Sequence, residues 1–361
     1  MKAIALYLPQ YHQIPENDKW WGEGYTEWSA VKNAKPYYKG HHEPRIPLNN
    51  NYYDLSDESA EAWQWQANLA REYGIYGFCI YHYWFQTGSQ LLEKPMEILL
   101  RHPEIDINYC ICWANETWTR TWYGIESEIL KEQKYGGEDE WLNHFDYLLP
   151  FFKDKRYIKI QNKPVVNIYH TAEIKDLPEM KKYWCNLAKE NGFDGVFFVS
   201  GNTISLLDDR DDVIDAYYNF EPSFTFKYKY PKLSRKVYQI RTLFATCLNK
   251  FLRNKVIEHR VSYDQISKLM KKNVRGSVAN VFPGAFPQWD NTPRRKYKGT
   301  EFFGSSPLKF KQQIQFMKRM YPNAEFIYIN AWNEWGEGCY LEPDELNGLA
   351  FLEIIKNEFK L

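Results

Sequence analysis

Net charge, long apolar runs and paired cysteines are all scarce in this sequence. Its 46 basic residues are balanced by 46 acidic ones, so the molecule as a whole is not built to bind nucleic acid. No apolar run approaches the roughly 20 residues that cross a bilayer as a helix. The 6 cysteines have neither the paired spacing of zinc sites nor the density of a disulfide scaffold. The apolar start, residues 3–9, is too short for a signal peptide, and we expect a cytoplasmic protein.

Aromatic residues are abundant instead, with 14 Trp and 28 Tyr in 361 residues. Tryptophan and tyrosine combine a large apolar face with a polar group, which suits both core packing and stacking on sugars. No group of histidines has the spacing of metal ligands, so we predict no metal and no other cofactor.

Apolar runs of strand length alternate with helical patterns along most of the chain. Helices are predicted over 56–73, 91–101, 138–152, 178–190 and 308–320, and strands over 3–8, 75–81, 108–113, 164–169, 195–199, 215–219, 277–282 and 326–330. Eight near-continuous apolar strands separated by helices are typical of a parallel (β/α)8 TIM barrel. We therefore predict an α/β fold with one barrel domain over residues 1–361 and long strand-to-helix loops.

A basic segment, about 223–275, is predicted as an insertion between strands six and seven. Within it, 237–252 reads as an amphipathic helix with Ile240, Phe244 and Phe251 on its apolar face. Two interpretations stay open at this stage. The helix packs on the barrel and leaves a solvated basic face, or it docks near an anionic membrane or a lipid diphosphate acceptor.

Polar side chains follow the ends of the predicted strands. In a barrel these ends share one rim, where active sites form. The residues are Gln10, His82, Asn115, Glu116, His170, Asn202, Glu221, Asp290, Glu334 and Glu337.

The centre of the predicted site follows the last strand, where Glu334 and Glu337 lie three residues apart. Two carboxylates beside indole rings are what glycosidic bond chemistry requires, so both are predicted to be catalytic. A capped helix start, or an ion pair with Arg294 that only positions substrate, is the alternative. Predicted substrate-binding residues are Gln10, Tyr11, Trp28, Tyr81, His82, Trp84, Trp113, Asn115, Glu116, His170, Trp289, Asp290, Arg294, Trp332, Asn333 and Trp335.

Several motifs carry a family resemblance. Residues 332–338, Trp-Asn-Glu-Trp-Gly-Glu-Gly, followed by Leu-Glu-Pro at 341–343, resemble the WbsX-type polysaccharide-biosynthesis proteins. That group is similar to glycoside hydrolase family 99, the endo-α-mannosidases and endo-mannanases. Further matching pieces lie at residues 7–12, 20–22, 26–28, 81–85, 113–116 and 286–294, so the resemblance runs from the first residues to about position 345.

The resemblance implies a retaining mechanism with neighbouring-group participation. Glu334 would remove the proton of the sugar 2-hydroxyl, whose oxygen attacks the anomeric carbon. Glu337 would protonate the leaving oxygen and then deprotonate the acceptor. From the residues alone, direct nucleophilic attack by a carboxylate stays open.

The predicted function is that of a carbohydrate-active enzyme in bacterial surface polysaccharide biosynthesis, O-antigen or capsule. Hydrolysis and transfer stay open, because they differ only in the acceptor. The expected substrate is an oligosaccharide or lipid-linked glycan, and the basic insertion is the candidate for peripheral contact with the inner face of the membrane. A non-catalytic glycan-binding or structural component is the alternative. Asp209 and Asp211 have the spacing of a metal-binding Asp-x-Asp, but we interpret them as an acidic loop.

Overall fold

Eight parallel strands form the centre of the computed structural model, which describes residues 1–119, 128–203, 208, 210–252, 259–272 and 280–359. Neighbouring barrel strands follow the chain order, and β1 also pairs with β8. The seventh strand has two short pieces, of which the first pairs with β6 and the second with β8, so the barrel closes there. The strands are β1 Lys2–Tyr7, β2 Ile75–Trp84, β3 Asn108–Trp113, β4 Lys163–Ile168, β5 Phe197–Asn202, β6 Ala216–Asn219, β7 Val281–Phe282 with Gly284–Ala285, and β8 Phe326–Ile329.

The barrel strands are buried almost throughout, as parallel strands covered by helices require. Side chains fill the interior, where the rings of Tyr218 and Tyr328 stack at 4.6 Å. The hydroxyl of Tyr328 donates to Asn167 Oδ1 at 2.7 Å, and Asn167 Nδ2 donates to the carbonyl of Ile111 at 2.9 Å. These bonds satisfy polar groups that would otherwise be costly to bury.

Helices and short helical turns occupy the connections between the barrel strands. The helices are α1 Pro15–Trp21, α2 Glu27–Lys32, α3 Glu61–Glu72, α4 Lys94–Arg101, α5 Glu138–Lys153, α6 Leu177–Glu190, α7 Lys232–Leu252, α8 Tyr263–Lys271, α9 Thr292–Arg295, α10 Pro307–Met320 and α11 Ala350–Glu358. The predicted α/β barrel is confirmed. None of the helices in the described ranges combines the length and apolarity needed to span a bilayer.

Some predicted boundaries differ from the structure. The helix expected from residue 56 begins at Glu61, because Ala60 takes a left-handed backbone with φ 55°. Strand β2 runs on to Trp84, because Tyr83 and Trp84 pair with the antiparallel segment Gln90–Leu91. His82 therefore lies inside a strand rather than after it. Residues 277–279 of the predicted seventh strand lie outside the described residues.

The predicted insertion contains α7 and α8, both between β6 and β7. Its residues 253–258 and 273–275 lie outside the described ranges. The assignment of the whole chain to one domain stays a prediction.

Candidate active site

The segment after β8 forms a small hairpin that carries both predicted catalytic glutamates. Asn333–Glu334 pairs antiparallel with Cys339–Tyr340, and a single turn, Trp335–Glu337, connects them. The side chain of Asn333 accepts from Leu8 N at 2.8 Å and donates to Leu8 O at 3.0 Å. These two bonds fasten the hairpin to the chain just after β1, at the carboxyl end of the barrel.

The turn closes on Gly338, whose φ of 55° is left-handed. A Cβ at this position would lie 2.8 Å from the carbonyl oxygen of Asp290, so the site also has no room for a side chain. Asp290 N in turn donates to the carbonyl of Glu337 at 2.7 Å. The backbone that presents Glu337 is therefore held by the loop after β7.

Arg294 joins three glutamates, of which Glu27 and Glu334 are buried and Glu337 is partly exposed, through one guanidinium group. Its Nη2 lies 2.8 Å from Glu334 Oε2 and 2.8 Å from Glu27 Oε1, and its Nη1 lies 3.0 Å from Glu337 Oε1. Both predicted catalytic carboxylates thus meet at one group, as a shared site requires. The ion pair with Arg294 that the sequence left open is present, and it involves both glutamates. Whether the two glutamates react or only position substrate is not decided by this arrangement, so their catalytic role stays a prediction.

Glu27 is the member of this group that the sequence interpretation did not include among the site residues. It begins α2, and its Oε1 accepts from Arg294 Nε at 2.9 Å and from Gly336 N at 2.9 Å. A Cβ on Gly336 would overlap Glu27 Oε1 and lie 2.8 Å from Arg294 Nε. The glycine therefore allows the hairpin to approach this ion pair. The signal in the sequence was the family piece at residues 26–28, which contains Glu27.

The environment of the group favours protonated carboxyls. Burial, opposed by Arg294 and reinforced by the charges of Glu337 and Glu27, raises the pKa of Glu334 to about 8. Burial also raises the pKa of Glu337. Three carboxylates around one guanidinium would leave an excess of buried negative charge, so the group holds a proton at neutral pH. Of Glu334 and Glu337, Glu334 is the less exposed and therefore the more favourable place for this proton.

Tyrosines from β2 and from the end of β4 lie close enough to Glu334 to be affected by its charge. Burial first, and the charge of Glu334 next, raise the pKa of Tyr81 and of Tyr83 well above 10. Burial, followed by the charges of Glu116 and Glu337, does the same for the pKa of Tyr169. The hydroxyls therefore stay protonated and available as hydrogen-bond donors. Tyr83 and Tyr169 were not among the predicted site residues.

A second acidic patch lies beside Glu337. Burial and then the charges of Glu173 and Glu337 raise the pKa of Glu116 to about 8. The Asn115 side chain donates to His170 O at 2.9 Å and accepts from His170 N at 2.8 Å, which fixes the end of β4 against that of β3. His170 Nδ1 lies 3.4 Å from Glu116 Oε1, and burial lowers the pKa of His170 to about 4, so the ring is neutral at pH 7.

A groove of about 320 Å³ begins next to this patch. Asn115 Nδ2 donates to Tyr135 Oη at 3.0 Å, and Tyr135 forms part of the groove wall. Its lining comprises Tyr135, Gly136, Trp141, Glu173, Ile174, Lys175 and Asp176, and it does not include Glu334 or Glu337.

The structure buries most of the predicted tryptophans behind the site. Their indole N–H groups donate to protein acceptors, from Trp28 to Tyr53 O at 2.8 Å, from Trp84 to Glu140 at 2.7 Å, from Trp113 to Trp84 O at 2.9 Å and from Trp335 to Glu342 at 2.6 Å. Trp332 is fully buried against Phe78. These rings shape the site from behind and do not present open faces.

Partly exposed rings lie elsewhere. Trp118 packs edge-on against Tyr83 with ring centres 5.1 Å apart, and Trp20 packs against Trp118 at 5.8 Å. Both tryptophans are half-buried, as is the predicted residue Trp289, which packs on Phe302. Neither Trp20 nor Trp118 was singled out as a binding residue from the sequence.

The remaining predicted residues also have protein partners. His82 Nε2 lies 2.9 Å from His144 Nε2, and burial lowers the pKa of His82 to about 3. Gln10 accepts from Glu27 N at 3.0 Å through its backbone carbonyl. The Tyr11 hydroxyl donates to Asn333 O. The structure therefore gathers Tyr81, Glu116 and Arg294 around the two glutamates. His82, Gln10 and Tyr11 instead support the framework of the site.

Asp290 belongs to a buried group next to the site. His41, Glu43 and Asp290 have donor atoms within 4.8 Å of one another, the spacing of possible metal ligands. Arg45 Nε lies 3.2 Å from Glu43, and its Nη2 lies 3.8 Å from Asp290, so the acidic charge already has a cationic partner. Asp290 also bonds His41 Nε2 at 2.7 Å. The donor set therefore fits an ion-pair network better than a cation site.

Comparison with known proteins confirms the family resemblance. The family model described as Glycosyltransferase WbsX matches residues 3–355. Two curated relatives, each called Uncharacterized protein WxcX and from strains of Xanthomonas campestris pv. campestris, are 32% identical over 355 residues. The match covers 97% of this chain and 48% of the relatives, so the chain spans about half their length.

Solved structures share the fold. A glycoside hydrolase-like protein has a TM-score of 0.60 at 12% identity, covering 100% of this chain and 94% of the other. The glycoside hydrolase family 99 endo-α-mannosidase from Bacteroides thetaiotaomicron has a TM-score of 0.55 at 13% identity, covering 98% and 95%. At these identities the likeness establishes the barrel alone.

Proposed function

Because this chain belongs to the WbsX glycosyltransferase family, we propose that it makes or breaks glycosidic bonds with Glu334 and Glu337 as the reacting pair. The observation that carries the proposal is the meeting of both carboxyl groups at Arg294, at 2.8 and 3.0 Å, on the rim where the barrel strands end. The raised pKa of each glutamate supports acid–base work near neutral pH.

The proposed reaction passes through a 1,2-anhydro sugar. Glu334 takes the proton of the 2-hydroxyl, and the oxygen released attacks the anomeric carbon. As the bond from that carbon to the leaving oxygen breaks, Glu337 gives its proton to the leaving oxygen. In the second half Glu337 takes a proton from the acceptor, the acceptor oxygen opens the strained ring at the anomeric carbon, and Glu334 returns its proton to the 2-oxygen.

Arg294 has a defined part in this scheme. The reaction starts with Glu334 ionised and Glu337 protonated, whereas burial alone favours the proton on Glu334. The guanidinium bond to Glu334 opposes that preference, and a substrate hydroxyl donating to Glu334 would oppose it further. Glu27, which holds Arg294 Nε at 2.9 Å, is proposed as a positioning residue.

The rim offers groups that suit a glycan on both sides of this pair. Tyr81, Tyr83 and Tyr169 would donate hydrogen bonds to sugar hydroxyls, and the half-buried ring of Trp118 would contact a sugar face. On the other side Glu116 and the groove beside Tyr135 would receive the next sugar of the chain.

We further propose that the acceptor is a sugar hydroxyl and that the protein works in bacterial surface polysaccharide assembly, O-antigen or capsule, on a lipid-linked glycan at the inner face of the membrane. The family description as a glycosyltransferase supports transfer, whereas the hydrolase-like barrel supports hydrolysis. Assaying with and without glycan acceptors would distinguish the two, since transfer yields an extended glycan and hydrolysis a free reducing end.

The test of the reacting pair uses Glu334→Gln and Glu337→Gln on α-linked oligosaccharides and on matched substrates with an activated leaving group. We expect Glu337→Gln to lose roughly 10²- to 10⁴-fold on the oligosaccharides and far less on activated substrates, because these need no protonation to leave. Glu334→Gln should lose activity on both. Glu190→Gln, on an exposed residue of α6, is the control. Full activity of both site variants on a substrate that the parent turns over would refute the assignment and favour a non-catalytic glycan-binding role.

A further inference from the structure

Helix α7 presents its apolar face to solvent. Leu233 is 77% exposed, Ile240 68%, Phe244 66% and Phe251 84%. Together with Val237 and Cys247, which are also exposed, they recur at spacings of three and four residues and form one stripe along the helix. Exposed large apolar side chains arranged in a continuous stripe mark an interaction surface rather than ordinary surface scatter.

The opposite face of α7 attaches the helix to the barrel. Ala245 and Asn249 are fully buried, and Tyr238 packs its ring against Phe226 at 5.2 Å. The hydroxyl of Tyr238 lies 3.3 Å from Thr300 Oγ1. The helix is thus oriented by contacts on its more polar side, which leaves the apolar stripe pointing outward.

Basic residues border the stripe. Lys232, Lys236, Arg241 and Lys250 are exposed, and α7 contains no aspartate or glutamate. The end of α9 and the turn after it continue the basic fringe with the exposed residues Arg295 and Lys296. The positive field here is dense, since the charges of Lys250 and Arg295 add to burial in lowering the pKa of Lys298.

We propose that α7 docks on an anionic phospholipid surface, with the stripe of Leu233, Val237, Ile240, Phe244, Cys247 and Phe251 inserted and the basic fringe on the headgroups. An apolar stripe between cationic residues matches both layers of such a surface, the acyl chains and the negative headgroups. A second copy of this chain fits less well, because a two-fold pairing of α7 would bring identical basic fringes together.

Docking in this orientation would place the segment after Arg294 across helix α7 from the lipid. Asn249 lies 3.5 Å from the carbonyl of Tyr297, three residues after Arg294. The surface proposal does not depend on the proposed reaction, because binding to lipid is measured without turnover.

The experiment uses the full chain with an environment-sensitive fluorophore on Cys247, whose side chain is exposed whereas four of the other cysteines are buried and Cys185 is half-buried. Vesicles contain phosphatidylcholine alone, or phosphatidylcholine and phosphatidylglycerol in equal amounts. We expect a blue shift and co-sedimentation only with the anionic vesicles. Ile240→Glu with Phe244→Glu should abolish both, whereas Leu308→Glu with Leu346→Glu, at exposed apolar positions elsewhere, should not.

The charge requirement is tested separately. Replacing Lys232, Lys236 and Lys250 by glutamine should weaken binding to anionic vesicles on the order of 100-fold, at about 1 kcal/mol for each basic residue near the surface. A blue shift that increases with protein concentration and does not depend on lipid would overturn the proposal in favour of self-association. Emission that is unchanged with both the neutral and the anionic vesicles would overturn the proposal in favour of a protein partner that covers the stripe.

Discussion

Replacing Glu27 by glutamine separates an electrostatic role of this residue from a merely structural one. The amide oxygen can keep the place of Oε1, which now accepts from Arg294 Nε at 2.9 Å and from Gly336 N at 2.9 Å. The amide nitrogen would replace Oε2, a buried oxygen with no hydrogen-bond partner among the described residues. The shape of the site is therefore preserved while one negative charge is removed.

Two effects follow from losing that charge. Bonds to Arg294 become bonds to a neutral acceptor, and each loses about 1 kcal/mol. Against this, repulsion among the three acids decreases, so we expect a net loss of about 1–2 kcal/mol in the free energy of unfolding. Because the charge of Glu27 raises the pKa of both Glu334 and Glu337, its removal should lower the pKa of each.

The assay is the pH dependence of kcat/KM on a substrate that the parent turns over, together with urea denaturation. Both limbs of the profile should move to lower pH in Glu27→Gln, whichever glutamate is the acid. Glu23→Gln, at an exposed residue between α1 and α2, should leave the profile unchanged. A folded Glu27→Gln variant with the parental profile would refute the electrostatic reasoning.

Three further predictions test the same region. Gly336→Ala should lower activity by more than tenfold, because the added Cβ displaces the pair of Glu27 and Arg294. The control Gly137→Ala, whose Cβ would lie in open space, should not lower it. Equal activities of the two variants would contradict the packing argument. Arg294→Lys keeps one charge but loses the forked geometry, and we expect kcat/KM to fall roughly 100-fold with little unfolding by circular dichroism; parental kinetics would contradict the bridging role. The free energy of unfolding should fall as the pH rises from about 6.5 to about 8. Burial raises the pKa of Glu334 from 4.5 to about 8, so in this interval the native state binds a proton that the unfolded state has lost. Below pH 6.5 the lowered pKa of His82 opposes this trend. Urea titrations in which the free energy of unfolding rises between about pH 6.5 and about pH 8 would refute the prediction.

The barrel and its rim were predictable because they depend on local patterns. Apolar runs mark the strands, and polar residues directly after them mark the shared end, as Glu334 after β8 and Asn115 after β3 illustrate. Predicted element boundaries were wrong where a single residue determined the backbone conformation. The left-handed φ of Ala60 at the start of α3 is an example.

The less predictable features depend on long-range contacts. Glu27 and Arg294 are separated by 267 positions, and no periodicity connects them. Tryptophans such as Trp84 and Trp335 suit a sugar-binding face and a packed interior equally well by residue type, and only the fold shows that their indoles donate to carboxylates of the protein. The sequence also showed that α7 is amphipathic, but not which of its two faces would meet the barrel.

The single guanidinium shared by Glu27, Glu334 and Glu337 has a consequence for how mutations at this site are analysed. Each acid that is removed frees hydrogen bonds that the other two can claim, so losses measured one at a time will not sum to the loss of a double or triple variant. The three acids therefore behave as one energetic unit, and a substitution at any of them should be interpreted together with the state of the other two.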